Sequence, residues 1–142
     1  MSKLQMLIDG FFAACGAVLG FLFGKLTGLF YALLAMMVMD YITGLIVAGI
    51  NRKISSEIGF KGLAKKLLIL VFVAVGHIVD VYVLGGSSVV MSAVMLFYIA
   101  NEGISIIENA AALGLPVPDK LREIMEQIKT KTEEEKDDDG NN

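Results

Sequence analysis

The 142-residue chain is 56% hydrophobic and 19% charged, and its mean hydropathy of +0.69 is too apolar for a small water-soluble domain. The formal net charge of -3 comes from the carboxyl-terminal part of the chain. Residues 1–118 carry seven basic and six acidic side chains, whereas residues 119–142 carry five basic and nine acidic side chains. One cysteine, Cys15, excludes an intramolecular disulfide framework, and a single histidine argues against most metal and triad chemistries.

Four apolar runs fill most of the chain, at residues 4–24, 26–50, 67–84 and 89–115. About 20 helical residues cross a bilayer core of about 30 Å. The second run is therefore more than long enough to span the membrane, and the third run is just long enough. Asp9 and Gly10 interrupt the first run, which fits either a spanning helix or an interfacial segment. The sequence predicts an all-α integral membrane protein with three to four transmembrane helices within residues 1–118.

The composition changes after Pro116 and Pro118, which stop the last apolar run. Beyond them, an apolar stripe at helical spacing predicts a short amphipathic helix that lies on the membrane surface or packs against a neighbouring copy. The stripe consists of Leu121, Ile124, Met125 and Ile128. Residues 130–142 are so charged that they predict a disordered tail. We therefore expect residues 119–142 to form a short charged cytoplasmic segment.

The distribution of basic residues predicts the orientation in the membrane, since Lys and Arg near membrane ends remain on the cytoplasmic side. Five cations lie between the second and third runs, whereas the turn at residues 85–88 is uncharged. These cations are Arg52, Lys53, Lys61, Lys65 and Lys66. The pattern places this segment and the carboxyl terminus in the cytoplasm. The side of the amino terminus depends on whether the first run spans.

Several polar side chains interrupt the apolar runs. They are Asp40, His77, Asp80, Asn101, Glu102, Ser105, Glu108 and Asn109. A charged residue at the centre of a spanning helix costs about 2.5–3.5 kcal/mol, so these groups are expected to face protein or water rather than lipid. A chain this small offers few sheltered positions, and we expect neighbouring copies to supply the shelter.

The fourth run is polar along one face, because Asn101, Ser105 and Glu108 recur at i, i+4 and i+7, flanked by Glu102 and Asn109. Such a face either packs against other helices of the monomer or lines water between copies. In the third run, His77 and Asp80 are three residues apart and form a structural pair more readily than a proton relay.

Glycine recurs at every fourth position in Gly16, Gly20, Gly24 and Gly28, which makes three overlapping GxxxG steps. Small residues at this spacing allow close approach of helices in membranes. The repeat indicates either packing within the chain or a contact between copies.

Motifs for enzymatic chemistry are missing from the sequence. No zinc-ligand spacing, nucleophile elbow or dinucleotide fingerprint occurs. Membrane orientation and anionic headgroups explain the basic segment more simply than nucleic acid does. We expect a non-enzymatic protein without cofactor or metal.

Three segments together resemble the toxin-secretion and phage-lysis holin family over about residues 36–128. They are Asp40-Tyr41-Ile42-Thr43-Gly44, residues 54–62 (ISSEIGFKG) followed by Lys65-Lys66, and residues 97–121 (FYIANEGISIIENAAALGLPVPDKL). The resemblance implies a protein that accumulates in the bacterial cytoplasmic membrane and then oligomerises into lesions. An endolysin or a toxin crosses through them without any necessary direct contact, and the cell lyses.

Two other functions fit the same residues. One is a small ion-conducting or proton-conducting membrane subunit, with Asp40, His77, Asp80 and Glu102 as a relay. The other is an antiholin or membrane scaffold that binds a holin without making the membrane permeable. For the holin, Asp40, Glu102 and Glu108 are the residues expected to matter most for assembly.

Overall fold

The computed structural model describes residues 2–139, with the side chains of residues 2–134. Five α-helices follow one another along these residues, and the described part of the chain holds no β-strand. They are α1 (Lys3–Phe23), α2 (Gly28–Ile50), α3 (Ser56–Tyr82), α4 (Val89–Ala112) and α5 (Asp119–Asp139). The first four are long and apolar enough to cross a membrane. The predicted all-α fold is confirmed, with four candidate spans.

The first apolar run forms one helix in spite of its interruptions. α1 continues through Asp9 and Gly10 for 21 residues. Asp9 is exposed, and no atom lies near Gly10, so neither residue disturbs packing, while a glycine costs only about 1 kcal/mol in a helix interior. The interruption therefore does not shorten the helix below spanning length.

Short hydroxyl side chains determine where three helices begin. Ser2, Thr27 and Ser55 stand at the N-caps of α1, α2 and α3. Each hydroxyl oxygen accepts a hydrogen bond from the backbone N–H three residues later, at 3.2, 3.4 and 3.2 Å respectively. Caps of this kind contribute about 0.5–2 kcal/mol each.

Since α3 begins at Ser56, most of the predicted basic connection is helical. Lys61, Lys65 and Lys66 lie on α3, and only Arg52 and Lys53 remain in the connection. Lys61 and Lys65 are exposed, and Lys66, which directly precedes the apolar stretch, is half-buried.

α4 lies at the centre of the bundle and packs against α2 and α3. Leu33 of α2 and Val73 of α3 are fully buried, and Met91 and Met95 of α4 belong to the same apolar core. Gly76 lets α3 approach α4 closely, because a Cβ at this position would lie 3.0 Å from the Met91 Cα. α4 therefore holds α2 and α3 in place, whereas α1 packs on α3.

The glycine repeat does not form a single stripe along one helix. α1 ends before Gly24, whose φ of +62° glycine adopts without strain. A Cβ on Gly24 would lie 2.5 Å from the His77 Cε1. Gly16, Gly20 and Gly28 meet no neighbouring atoms. These three glycines do not pack against another helix of the same chain.

α5 runs back along α4 in the antiparallel direction. A Cβ on Gly103 of α4 would lie 2.8 Å from the Met125 Sδ, and the Lys129 Nζ lies 5.8 Å from the centre of the Phe97 ring. The amphipathic stripe was expected on the membrane surface or against a neighbouring copy. It packs instead, through Met125, against α4 of its own chain.

The prediction of a disordered tail from residue 130 is wrong for residues 130–139, which continue α5. The Thr130 and Thr132 hydroxyls donate to the carbonyl oxygens four residues earlier, at 3.0 and 2.8 Å. Thr132 is only 5% exposed. Local hydrogen bonding and burial therefore stabilise a segment whose composition alone favours disorder. Residues 140–142 of the predicted tail lie outside the described residues.

Asp80 of α3 caps the next helix. Its Oδ1 accepts hydrogen bonds from the Ser87 Oγ at 2.8 Å and the Val90 N–H at 3.0 Å, and its Oδ2 accepts one from the Met91 N–H at 2.8 Å. The N–H groups of a first helical turn have no partner within the helix, and a carboxylate there also interacts favourably with the helix dipole. The fully buried Asp80 thus fixes the angle at which α4 leaves the turn.

We predict that Asp80→Ala lowers the free energy of unfolding by about 2–4 kcal/mol, because it leaves buried donors without an acceptor. Asp80→Asn, which keeps one acceptor oxygen, should lose less. Unfolding in mixed detergent and sodium dodecyl sulfate, followed by circular dichroism, measures the difference. Asp9→Ala in the exposed part of α1 is the matched control and should change stability by less than about 0.5 kcal/mol. Equal losses in the two Ala variants would contradict the capping role.

Candidate functional site

Lys66 lies between two carboxylates that come from different helices. Its Nζ donates a hydrogen bond to the Asp40 Oδ2 of α2 and to the Glu102 Oε2 of α4, and it forms an ion pair with each. The side chains of Lys66, Asp40 and Glu102 are only 15%, 14% and 5% exposed. One sheltered cation therefore ties α2, α3 and α4 together.

An amide and a hydroxyl extend this group on the side of α2. The Asn109 Nδ2 donates to the Thr43 Oγ1 at 2.9 Å and to the Asp40 Oδ1 at 3.4 Å. Thr43 in turn donates to the backbone carbonyl of Met39 at 2.9 Å. We call Asp40, Thr43, Lys66, Glu102 and Asn109 together the Lys66 cluster.

The three charged members occupy one level of the bundle. Asp40 precedes the end of α2 by ten residues, Lys66 follows the start of α3 by ten, and Glu102 precedes the end of α4 by ten. With a rise of 1.5 Å per residue, each lies about 15 Å inside its helix. The cluster holds two carboxylates and one ammonium group, and its formal charge is that of a single anion. On α3 this level is the start of the apolar stretch, whereas on α2 and α4 it lies within the apolar runs.

Two cavities border the Lys66 cluster. One of about 300 Å³ is lined by Asn101 and Ser105 together with all three charged residues. A second of about 230 Å³ is lined by Tyr41 and Asn109, again beside Lys66. Both are clefts that open at the surface of the bundle and have polar and apolar walls, and each is large enough to admit water.

The segments that resemble the holin family meet in space. Tyr41 donates from its hydroxyl to the Gly59 carbonyl oxygen at 3.3 Å. Its ring also fills the space beside Gly62, where a Cβ would lie 3.0 Å from the Tyr41 Cε2. The residues around Asp40 on α2 thus pack directly on the first part of α3.

His77 and Asp80 lie far from the Lys66 cluster. Asp80 follows Lys66 by fourteen residues on the same helix, which corresponds to about 21 Å. The Asp80 carboxylate accepts hydrogen bonds from the first backbone N–H groups of α4, and the His77 ring packs against Gly24 at the end of α1. The four residues considered for a proton relay therefore form two separate groups.

The polar face of α4 is divided. Glu102 and Asn109 bond to α2 and α3, and Asn101 and Ser105 line the larger cavity. Glu108 is exposed. Packing within the monomer thus accounts for Glu102 and Asn109, and Glu108 lies outside the Lys66 cluster.

Partners for the costly polar groups come from within the chain. Among the described side chains, no buried nitrogen or oxygen lacks a hydrogen-bond partner. The expectation that neighbouring copies must shelter these groups is therefore wrong for Asp40, Glu102 and Asn109, while for the exposed Glu108 it stays a prediction. Any association of copies has to be argued from other surfaces.

Sequence reasoning assigned Lys66 to membrane orientation alone and missed its part in the site. The signal was its position, directly before the apolar stretch of residues 67–84, from which a long side chain reaches into the bundle. A carboxylate inside an apolar run requires either a nearby cation or hydrogen-bond donors, and Lys66 is the cation next to Asp40 and Glu102. Within the described residues, no group of three or more His, Cys, Asp or Glu side chains is arranged to hold a metal ion.

Comparison with known proteins identifies similar chains. Residues 17–130 match the model of the bacteriophage holin family. An uncharacterized protein of Listeria innocua, Lin0175, is 44% identical over 87% of this chain and 89% of its own length. The uncharacterized protein BH0965 of Halalkalibacterium halodurans is 38% identical over 89% of this chain and 96% of its own length.

A third relative comes from Clostridium perfringens. It is the uncharacterized 14.9 kDa protein in the nagH 3' region, which is 38% identical over 82% of this chain and 88% of its own length. No solved structure matches the chain. The sequence similarity to these relatives thus covers most of this chain and most of each relative.

We predict that Lys66→Met destabilises the protein by about 3–5 kcal/mol, because removal of one partner leaves sheltered charges uncompensated. The triple variant Lys66→Met, Asp40→Asn, Glu102→Gln removes those charges as well and should regain most of the loss. The quantity to measure is the free energy of unfolding in detergent, together with the amount of protein in the membrane fraction.

Lys65→Met is the matched control for this prediction. Lys65 is the exposed neighbour of Lys66 on α3, so its replacement should leave stability within about 0.5 kcal/mol. If the triple variant were no more stable than Lys66→Met alone, the destabilisation would not arise from unpaired carboxylates.

Proposed function

Because the chain belongs to the bacteriophage holin family, we propose that it is a holin. It is a multi-pass protein of the bacterial cytoplasmic membrane, and in this proposal its copies assemble into lesions. An endolysin crosses them to reach the cell wall, or a toxin leaves by the same route. The lipid bilayer and further copies of the chain are the direct partners.

The observation that carries the proposal is the extent of the family match. Residues 17–130 include all of α2, α3 and α4 and most of α5. The Lys66 cluster lies wholly inside this region, and so do the helices that it joins. The match therefore supports a role for the whole bundle rather than for one helix.

We also propose an orientation. If all four apolar helices span, the two termini lie on the same side as the connection between α2 and α3. That end of the bundle carries Arg52, Lys53, Lys61 and Lys65, whereas the turn at residues 85–88 is uncharged. The rule that basic residues stay inside then puts both termini in the cytoplasm.

α1 supplies a surface for association in this proposal. It packs mainly against α3, and most of its side chains are exposed. Gly16 and Gly20 lie on it with open space beside them. Small residues at this spacing let two helices approach closely in a membrane. Contact between copies through this face supports assembly without disturbing the core.

Controlled expression in bacteria tests the function. A holin should abolish the membrane potential and release a cytoplasmic enzyme together, since its lesions pass proteins. An ion-conducting subunit would dissipate the potential while the enzyme stays inside. An antiholin or scaffold, expressed without a partner, would do neither. Either of these last two results contradicts the proposal.

Glu102→Leu should change the time at which the enzyme is released while the protein still inserts into the membrane. The substitution leaves Lys66 with Asp40 as its only carboxylate partner and so alters how α4 is held. Glu108→Leu is the matched control on the same helix, because Glu108 is exposed. We expect the shift in release time to be larger for Glu102→Leu. Unchanged timing in that variant would exclude the Lys66 cluster from assembly.

A further inference from the structure

α5 lies beside a spanning helix over much of its length. Gly103 of α4 is opposite Met125, and Phe97 of α4 is opposite Lys129. Phe97 precedes the end of α4 by fifteen residues, which is about 22 Å at 1.5 Å per residue. If the end of α4 marks the edge of a hydrocarbon core about 30 Å thick, this pairing brings α5 past the middle of that core.

The outer face of α5 cannot remain in lipid at this depth. Within residues 123–134, whose side chains the structure describes, five charged side chains are exposed, namely Glu123, Glu126, Lys131, Glu133 and Glu134. Among the side chains of α5 that the structure describes, Lys120 and Glu123 form an ion pair at 3.7 Å, which is well exposed and shields none of the deeper charges. A helix with this surface lies at bilayer depth only where it borders water.

The inner face of α5 is fitted to α4. Gly103 leaves the space that Met125 occupies, because a Cβ there would meet the sulfur at 2.8 Å. Lys129 places its ammonium group over the Phe97 ring, a cation–π arrangement. Thr132, beyond Lys129, is buried. One face of α5 thus packs against α4, and the opposite face carries exposed charged side chains.

We infer that α5, seated on α4, forms the water-facing wall of the opening. The inference rests on the proposed function, because it assigns the surface that borders the passage for hydrophilic macromolecules. In a protomer surrounded by lipid, α5 leaves α4 and stays in the cytoplasm. Assembly brings water to this side of α4, and α5 then occupies its place beside Gly103.

A disulfide between the two helices tests this arrangement. The pair Gly103→Cys and Met125→Cys is placed in a Cys15→Ala background, and expressing cells are oxidised with copper phenanthroline before and after enzyme release begins. Thiols left free are counted by maleimide labelling. The disulfide should rise from background before release to the major form afterwards, and cells oxidised after onset should continue to release enzyme.

The control pair is Gly103→Cys with Gln127→Cys, since Gln127 is exposed and lies away from the packed face. It should remain reduced throughout. The single variants Gly103→Cys and Met125→Cys must release enzyme on their own, which shows that the substitutions preserve folding and assembly.

Several results would overturn the inference. They are a disulfide in intact cells, release without any disulfide, a disulfide between copies, or release that stops on oxidation and resumes with dithiothreitol. Each of these leaves the holin function standing, because enzyme is still released. If the unsubstituted protein releases no enzyme, there is no opening for α5 to line, and the inference fails together with the proposed function.

Discussion

Charged groups in hydrocarbon must be paired or wet, and this constraint organises the molecule. Lys66 meets it by pairing with carboxylates on two other helices. Asp80 meets it by accepting hydrogen bonds from the start of α4. Each solution also fixes the position of a helix. The polar residues thus connect the helices of a bundle whose outer surface is largely apolar.

α5 satisfies the same constraint in a different way. Among its described side chains beyond Glu123, α5 forms no ion pair, and a charged side chain at the centre of a spanning helix costs about 2.5–3.5 kcal/mol. Several such charges together cost an amount comparable with the 5–15 kcal/mol that typically separates a folded domain from its unfolded state. In the proposed arrangement, water therefore accompanies α5 wherever it lies against α4. The bundle formed by α1 to α4 carries no such requirement, because its interior groups are already satisfied.

Much of the fold could be predicted from apolar run length, because a helix that crosses lipid satisfies its own backbone and needs no distant partner. The Lys66 cluster could not be predicted in this way. Lys66 is 26 residues from Asp40 and 36 residues from Glu102 along the chain, so no periodicity within one apolar run connects them. Asp80 was noticed as an ionisable residue, yet its acceptor role depends on how tightly the glycine-containing turn folds back. The continuation of α5 was missed because composition describes the residues as an isolated segment, whereas burial of Thr132 depends on the rest of the chain.

The spacing of the Lys66 cluster along the chain also affects biogenesis. Asp40 leaves the ribosome before Lys66, and Glu102 follows only after a further helix has been made. α2 therefore enters the translocon with a carboxyl group that has no cation, and it becomes fully compatible with lipid when α3 arrives beside it. The Asp40 carboxylate thus gains its cation only after α3 has been made. The fourth span then completes the ion pairs and closes the bundle.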